Sequence, residues 1–253
     1  MHETRVIALW AVPRSVSTTF EKAFSQHPQA RVVHEPFTDC YYFGSERRSG
    51  RYGVQPSKLG CDAANALDAV TRERAPVVFV KDLAFQAEPY LSDDVLRGVS
   101  NTFILRHPAA VLRSLLPLKP DFTEDEFGFT ALRRLWRRVR GMGLDAVVVE
   151  GDGFRANPAS VLRAYCAKVG VGFVPQMLHW PDGRIRPWDP TEAESQAKWH
   201  RTLEASLGVL PPHPVQEVEV SADRRCLYAR ALDIYESLAT GAVGVSETLP
   251  TRA

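Results

Sequence analysis

A turn rich in hydroxyl groups follows the first apolar run of the chain, and its residue types suit an anion. The run ends at Val12, and Pro13 and Arg14 lead into four hydroxyl side chains within five positions, namely Ser15, Ser17, Thr18 and Thr19. A turn that opens a helix presents unpaired backbone N–H groups and the positive end of the helix dipole. Arg14 adds a permanent cation. The segment therefore predicts a phosphate-binding cradle.

Ordinary helix capping is the competing interpretation of this turn, because Ser and Thr are preferred N-cap residues. Capping accounts for one hydroxyl but not for four, and it leaves Arg14 unexplained. The turn is not a standard P-loop, since no glycine precedes Gly44 and no lysine stands where the lysine of nucleoside triphosphatases falls. A triphosphatase or a kinase is therefore disfavoured.

A second cation, Arg106, ends another apolar run and precedes His107 and Pro108, where a helix is expected to begin. Taken alone, this arginine is equally compatible with a surface ion pair. Together with the first turn, it offers a second anchor at the same edge of the predicted sheet. Two anchors suit a ligand that carries phosphates at two positions, whereas an ATP site would not need the second.

Short β-branched runs alternate with helical patterns along most of the chain, which predicts an α/β fold with a mostly parallel sheet. The predicted strands are Val6–Val12, Val32–Val33, Val77–Val80, Thr102–Leu105 and Ala146–Val149. The predicted helices are Ser17–Gln26, Asp62–Arg74, Pro108–Leu116, Glu124–Arg140 and Pro158–Val169, with appended C-terminal helices at Thr191–Leu207 and Asp223–Ala239.

Two segments depart from this alternation. Residues 43–60 contain four glycines and four cationic residues with few aliphatic ones, which predicts a loop that serves as a lid. The chain then becomes rich in proline and tryptophan between Gly170 and Trp188. We expect one domain over residues 1–240 and a flexible tail over 241–253.

Composition narrows the function classes. The 253 residues are 45% hydrophobic and 24% charged, and the net charge of +1 gives no electrostatic reason to bind nucleic acid or an anionic membrane. The four cysteines form no C-x-x-C pair, and we identify no convincing cluster of metal ligands. Without a signal peptide or a run of about 20 apolar residues, the sequence predicts a cytoplasmic protein.

The first turn resembles a motif of a known enzyme family. Residues Pro13–Thr19 resemble the 5′-phosphosulfate loop of sulfotransferases, usually P-[KR]-S-G-[ST]-T, although Val16 replaces the glycine. Residues Arg106–Ser114 match the 3′-phosphate motif of that family, R-[NDH]-P-x-x-x-x-x-S. The likeness continues through His34–Phe37, Lys81–Ala84 and a flap between Trp180 and Trp188, and it is strongest to compact bacterial and plant sulfotransferase-like branches.

The resemblance implies a three-layer P-loop-like fold and a donor, 3′-phosphoadenosine 5′-phosphosulfate. It implies a small-molecule acceptor with a hydroxyl or amine, no metal, and a homodimer as an option. The implied donor-binding residues are Arg14, Ser15, Val16, Ser17, Thr18, Thr19, Arg106 and Ser114. The segment Lys198–His200 is a candidate to close over the adenine or the acceptor, with core packing of Trp199 as the alternative.

The proton acceptor is less clear from the resemblance. Cytosolic relatives carry a histidine two residues after a strand-end lysine, and here Lys81 is followed at that distance by Leu83. Glu35 is the best candidate base, with His34 and Asp82 in reserve. Glu35 could instead be a solvated carboxylate or a partner of Arg14.

The predicted catalytic set is therefore Glu35, Arg14 and Lys81, where Lys81 either contacts the bridging oxygen or pairs with Asp82. Two alternatives to a sulfotransferase remain open. One is a small-molecule kinase with a degenerate P-loop, and the other is a nucleotide-binding protein without chemistry.

Overall fold

The computed structural model describes residues 4–53, 55–183, 193–214 and 218–244, without the side chains of 193–198. Trp188 of the predicted flap and residues 245–253 of the predicted tail lie outside the described residues. No helix in these ranges is long and apolar enough to cross a membrane.

The centre of the molecule is a five-stranded sheet in which every strand runs parallel to its neighbours. The strand order is β2-β3-β1-β4-β5. The strands are β1 (Arg5–Ala11), β2 (Ala30–His34), β3 (Val77–Leu83), β4 (Ser100–Leu105) and β5 (Val147–Glu150). At its C-terminal end β1 pairs Ala11 with Leu83 and with Ile104. The turns after β1, β3 and β4 therefore share one edge of the sheet, as the sequence predicted.

Twelve α-helices surround the sheet in the described chain. They are α1 (Ser17–Ser25), α2 (Thr38–Phe43), α3 (Ala63–Thr71), α4 (Ala84–Ala87), α5 (Asp93–Arg97), α6 (Pro108–Leu115), α7 (Glu124–Phe127), α8 (Phe129–Gly141), α9 (Gly151–Ala156), α10 (Pro158–Val169), α11 (Ala193–Glu204) and α12 (Arg225–Ala239). Short 3₁₀ turns occur at Glu88–Tyr90, Pro175–Leu178 and Ala222–Arg224. The α/β prediction, with helices on both faces and appended C-terminal helices, is confirmed.

Alternation along β1 explains why the domain has three layers. Ala8 and Trp10 pack into one core cluster, and Ile7 and Leu9 pack into another. Successive side chains of a strand point to opposite faces, so an apolar run buries both faces of the sheet. Helices α8 and α12 cover the Trp10 face, and α1 and α10 cover the other face.

One helix prediction needs correction. The segment Glu124–Arg140 is two helices rather than one, because Gly128 has a φ of 84° and separates α7 from α8. A Cβ at Gly128 would lie 2.4 Å from Cδ of Pro13, so the break lets α8 start directly against the turn after β1. The sequence pattern of charged and apolar residues could not reveal this tertiary constraint.

The residues directly after 240 contact the domain. Ala242 is buried, and the N–H of Val243 donates a 2.8 Å hydrogen bond to the carbonyl of Val148 in β5. Contact with the sheet thus extends three residues past 240. The division at residue 240 stays a prediction for the rest of the tail.

Candidate active site

The turn after β1 has an unusual backbone. Arg14 has a φ of 62° and Val16 a φ of 72°, both in the left-handed region that favours glycine. Val16 is the N-cap of α1, and no side chain of the described structure caps this helix. The first N–H groups of α1, on Ser17, Thr18 and Thr19, therefore face the crevice without intrahelical partners. This strained turn directs helix N–H groups and the Arg14 side chain to one place.

Two glycines outside the turn leave the space that this shape requires. Gly128 lies against the Pro13 ring, and a Cβ at Gly151 would come within 2.5 Å of the Ser15 carbonyl oxygen. The turn itself carries no glycine. In a glycine-rich phosphate loop, the glycines of the loop itself provide this space. Here Gly128 and Gly151, at the starts of α8 and α9, provide it. Neither glycine belongs to the motifs that predicted the turn, although the Gly151–Gly153 pair directly after β5 was a usable signal.

A first cavity, which we call the arginine cavity, opens beside the turn and encloses about 280 Å³. It is lined by four arginines that come from the turns after β1 and β4 and from helices α6 and α9, namely Arg14, Arg106, Arg113 and Arg155. Val16, Ser17, Thr18, Thr19 and Ser114, all predicted from the sequence as donor-binding residues, also line it. Ser15 does not line it. Its hydroxyl is buried and has no hydrogen-bond partner in the described structure.

Arg14 sits at the centre of this cavity wall. Its Nε donates to Ser114 Oγ at 2.8 Å, and its Nη1 donates to the Trp199 carbonyl oxygen at 2.9 Å. Burial, and then the nearby charge of Arg106, lower the pKa of Arg14. Because a guanidinium stays protonated in proteins, this shift reports crowded positive charge that an anion would relieve.

Arg106 is fixed from behind by Asp152 of α9. Its Nε lies 2.9 Å from both carboxylate oxygens, and its Nη2 lies 2.8 Å from Oδ1. Arg155 lies 3.8 Å from the same carboxylate, and burial followed by the charge of Arg106 lowers its pKa. A planar guanidinium held in this way has its remaining N–H groups free of rotamer disorder. The two predicted anchors, Arg14 and Arg106, thus share one cavity.

A second cavity of about 170 Å³ adjoins the first, and we call it the tyrosine cavity. It shares Arg14, Ser17, Thr18, Trp199 and His200 with the arginine cavity. Its own walls combine aromatic, aliphatic and ionisable side chains: Tyr42, Tyr52, Phe85, Leu83, Leu115, Thr38, Gln86, Glu35, Lys81, Lys119 and Glu126. The shared residues lie at the boundary between the cationic cavity and the one with aromatic walls.

Glu35 and Lys81 lie on the wall of the tyrosine cavity as a buried ion pair. Lys81 Nζ donates to Glu35 Oε1, and Thr38 Oγ1 donates to Oε2 at 3.3 Å. Burial by itself raises the pKa of Glu35, but Lys81 and His34 outweigh it and lower the pKa to about 2. Glu35 is therefore an ionised carboxylate, and its partner is Lys81 rather than Arg14.

The two reserve bases are placed differently. Asp82 is fully buried and accepts the N–H groups of Phe37 at 2.8 Å and Leu83 at 2.7 Å. Burial, followed by the charge of Glu35, raises its pKa well above the ordinary value. His34 Nδ1 lies 2.8 Å from both oxygens of buried Glu21. Neither Asp82 nor His34 is among the residues that line the two cavities.

His200 is a site residue that the sequence indicated only weakly. It is buried, lines both cavities, and has its ring centroid 6.0 Å from that of His34. Burial, and then the charge of Lys81, lower its pKa to about 3, so the ring is neutral at physiological pH. A lone histidine within a helix gave no motif from which this placement could be deduced.

Comparisons with known proteins bear on the family and the fold of this chain. The sequence model of the family described as "Sulfotransferase domain" matches residues 4–242. Two Arabidopsis thaliana proteins, branched-chain-amino-acid aminotransferase-like proteins 2 and 1, are 24% identical over 82% of this chain and 23% identical over 84%. The chain spans only 36% and 38% of their lengths.

A solved structure has a similar fold. The sulfotransferase domain of the Synechococcus PCC 7002 olefin synthase superposes with a TM-score of 0.53 and 16% identity. The match covers 94% of this chain and 96% of that one. At this identity the likeness bears on the fold alone, and it agrees with the parallel α/β arrangement described above.

Proposed function

The chain belongs to the sulfotransferase domain family, and from this premise we propose that it moves a sulfuryl group from 3′-phosphoadenosine 5′-phosphosulfate to a hydroxyl or amine of a small acceptor. The cytoplasmic location and the homodimer stay predictions from the sequence. So does the expectation that neither metal, nucleic acid nor membrane takes part.

The proposal is supported above all by the adjacency of two cavities: one is lined by both arginine anchors, and the other, which shares five lining residues with it, contains an ionised carboxylate. In our assignment, Arg14 and the α1 N–H groups bind the 5′-phosphosulfate, and Arg106 binds the 3′-phosphate. Ser114 contributes a hydroxyl between them. The adenosine lies in the arginine cavity and the acceptor in the tyrosine cavity.

The chemistry assigned to these residues is an in-line displacement. The acceptor oxygen forms a bond to sulfur while the bond from sulfur to the 5′-phosphate oxygen breaks, and the electron pair leaves with adenosine 3′,5′-bisphosphate. Negative charge builds on that phosphate and is stabilised by Arg14 and the N–H groups. Lys81 holds Glu35 ionised on the wall of the tyrosine cavity. The acceptor proton passes to Glu35 as the new bond makes that proton acidic.

Calorimetric titration with adenosine 3′,5′-bisphosphate tests the donor assignment. We expect saturable binding that is at least ten-fold tighter than the binding of Mg²⁺-ATP, because the second phosphate anchor is used only by the bisphosphate. An Arg106→Met variant should lose this preference. Tighter binding of Mg²⁺-ATP, together with phosphate transfer, would favour the kinase alternative instead.

Transfer of label from ³⁵S-labelled donor to a panel of small alcohols, phenols and amines tests the reaction itself. We expect turnover with at least one acceptor and none in the absence of enzyme. Bisphosphate binding without turnover on any acceptor would favour the non-catalytic alternative.

A further inference from the structure

The outer wall of the tyrosine cavity comes from a loop between α2 and α3. Tyr52, in the middle of this loop, has its ring centroid 5.3 Å from that of Tyr42 and 5.2 Å from that of Phe43. Tyr52 is half exposed, so one side of the ring contacts the protein and the other faces solvent. The position of this ring therefore sets one boundary of the space in which the proposed acceptor binds.

Backbone hydrogen bonds attach the two ends of this loop to α2, but not its middle. The N–H groups of Arg48 and Ser49 donate to the Tyr41 carbonyl oxygen, and the N–H of Lys58 donates to that of Phe43. Between these points, Arg47 and Gln55 bond within the loop itself. Attachment of the Tyr52 region to the rest of the domain must come from elsewhere.

Arg51, the neighbour of Tyr52, supplies that attachment. Its Nε lies 2.6 Å from Glu126 Oε1 and its Nη2 lies 2.5 Å from Oε2, which is a bidentate pair. Its Nη1 lies 2.8 Å from Asp121 Oδ2, and Nη2 also donates to the Asp121 carbonyl oxygen at 3.0 Å. We call Arg51 with these two acidic partners the Arg51 clamp.

The clamp is anchored on a rigid point of the cavity wall. Glu126 is buried and takes part in the capping box of α7, where Thr123 Oγ1 accepts the Glu126 N–H and Glu126 Oε2 accepts the Thr123 N–H. Lys119 Nζ lies 2.6 Å from Glu126 Oε1, and both residues line the tyrosine cavity. A buried carboxylate with this many donors cannot move without losing several charge-assisted bonds.

We propose that Arg51 is a positioning residue for acceptor binding: by clamping Glu126 it holds Tyr52 as the closed wall of the tyrosine cavity. The proposal rests on the proposed function, since it assigns this cavity to the acceptor. Arg51 touches neither the donor site nor the Glu35–Lys81 pair among its described contacts. It therefore acts on acceptor affinity and leaves the chemical step unchanged.

Four variants test the clamp, with 4-nitrophenol as the acceptor probe: Arg51→Met, Tyr52→Ala, the double variant and Arg134→Met. Arg134, on α8, is the matched control, because it makes a bidentate pair with Glu88 away from both cavities. We expect Arg51→Met and Tyr52→Ala each to raise the acceptor KM about ten-fold, with kcat and bisphosphate affinity unchanged. The double variant should be no worse than either single one.

Two results would overturn the proposal. An unchanged acceptor KM in Arg51→Met would show that the clamp does not control this cavity. Additive effects in the double variant would show that Arg51 does not act through Tyr52. Arg51→Lys, which keeps the charge but loses the fork, should give an intermediate KM.

Hydrogen exchange of peptides covering 48–53 tests the clamp without any reaction. We expect these amides to exchange about ten-fold faster in Arg51→Met and at the wild-type rate in Arg134→Met. Should 4-nitrophenol fail to react, this measurement decides alone, and wild-type exchange in Arg51→Met would refute the clamp. Faster exchange in a protein that binds no adenosine 3′,5′-bisphosphate would retain the clamp while removing the proposed function.

Discussion

The two cavities that share Arg14 differ in the structural elements and residue types that line them. The cationic wall of the arginine cavity consists of strand-end turns and the helices that follow them, and its charges are guanidinium groups that do not titrate near neutral pH. The facing wall comes from α11 and the segment after it. The tyrosine cavity consists of aromatic rings, part of a long loop and carboxylates with displaced pKa values. The cationic wall is therefore shaped by the sheet itself, whereas the tyrosine cavity depends on side-chain contacts that a few substitutions can change.

This difference suits the two substrates that we assign to them. A donor common to a whole family calls for an invariant geometry, which parallel strand ends provide. An acceptor that differs between enzymes calls for walls that can diverge, and loops supply those.

Loss of the Arg14 guanidinium should be the most damaging change. We expect Arg14→Met to lower kcat/KM about 10³-fold, because the cation beside the developing charge on the leaving phosphate is removed. Arg14→Lys keeps the charge but loses at least one of the bonds to Ser114 and Trp199, so its loss should be smaller. Steady-state kinetics with varied donor measures both. A loss below ten-fold in Arg14→Met would contradict the central role of this residue.

Removal of the charge on Glu35 should affect the reaction but not donor binding. We expect Glu35→Gln to lower kcat about 10²-fold, with bisphosphate affinity within two-fold of the wild type. Because Lys81 is then buried without its counter-ion, the free energy of unfolding should fall by about 3 kcal/mol. A His200→Asn variant is the matched comparison. Full turnover in Glu35→Gln and its loss in His200→Asn would transfer the role of base to His200.

Acid should lower the stability of the protein by protonating carboxylates of the tyrosine cavity. Glu35 and Glu126 both have pKa values lowered from 4.5 to about 2, the latter because Arg51 and Lys119 outweigh the effect of burial. A depressed pKa contributes stability that is present above pH 4.5 and is lost as the pH falls toward 2. The free energy of unfolding, measured with urea at several pH values in this range, should rise less steeply with pH in Glu126→Gln than in the wild type. The difference in slope should be up to about 1.4 kcal/mol per pH unit. Equal slopes would show that Glu126 is not held ionised.

The smallest expected effect concerns the strained backbone at Val16. At a φ of 72° an alanine keeps the left-handed penalty, whereas a glycine does not. We therefore expect Val16→Gly to be more stable than Val16→Ala by about 1 kcal/mol, the reverse of the usual order in a helix. Thermal unfolding of the pair measures the difference. A more stable alanine variant would mean that the turn relaxes out of the left-handed region.

The contrast between the cavities also explains what could be predicted from the sequence. The α/β fold and the edge that holds Arg14 and Arg106 follow from periodicity, because alternation of strands and helices leaves few topologies. The partner of Glu35 could not be predicted from periodicity, because Lys81 is 46 residues away and only the β2–β3 register brings the two together. The same holds for Arg51 and Glu126, and for the break at Gly128. Long-range pairing is encoded in packing rather than in local spacing.

The glycines that flank the first turn have a consequence for mutational tolerance. In a turn that supplies its own glycine, the intolerant position lies within the motif. Here Val16 occupies that position, and Gly128 and Gly151 instead approach Pro13 and Ser15 of the turn too closely for a methyl group. Sequence variation should thus be permitted inside the motif and forbidden at two sites far from it in the chain.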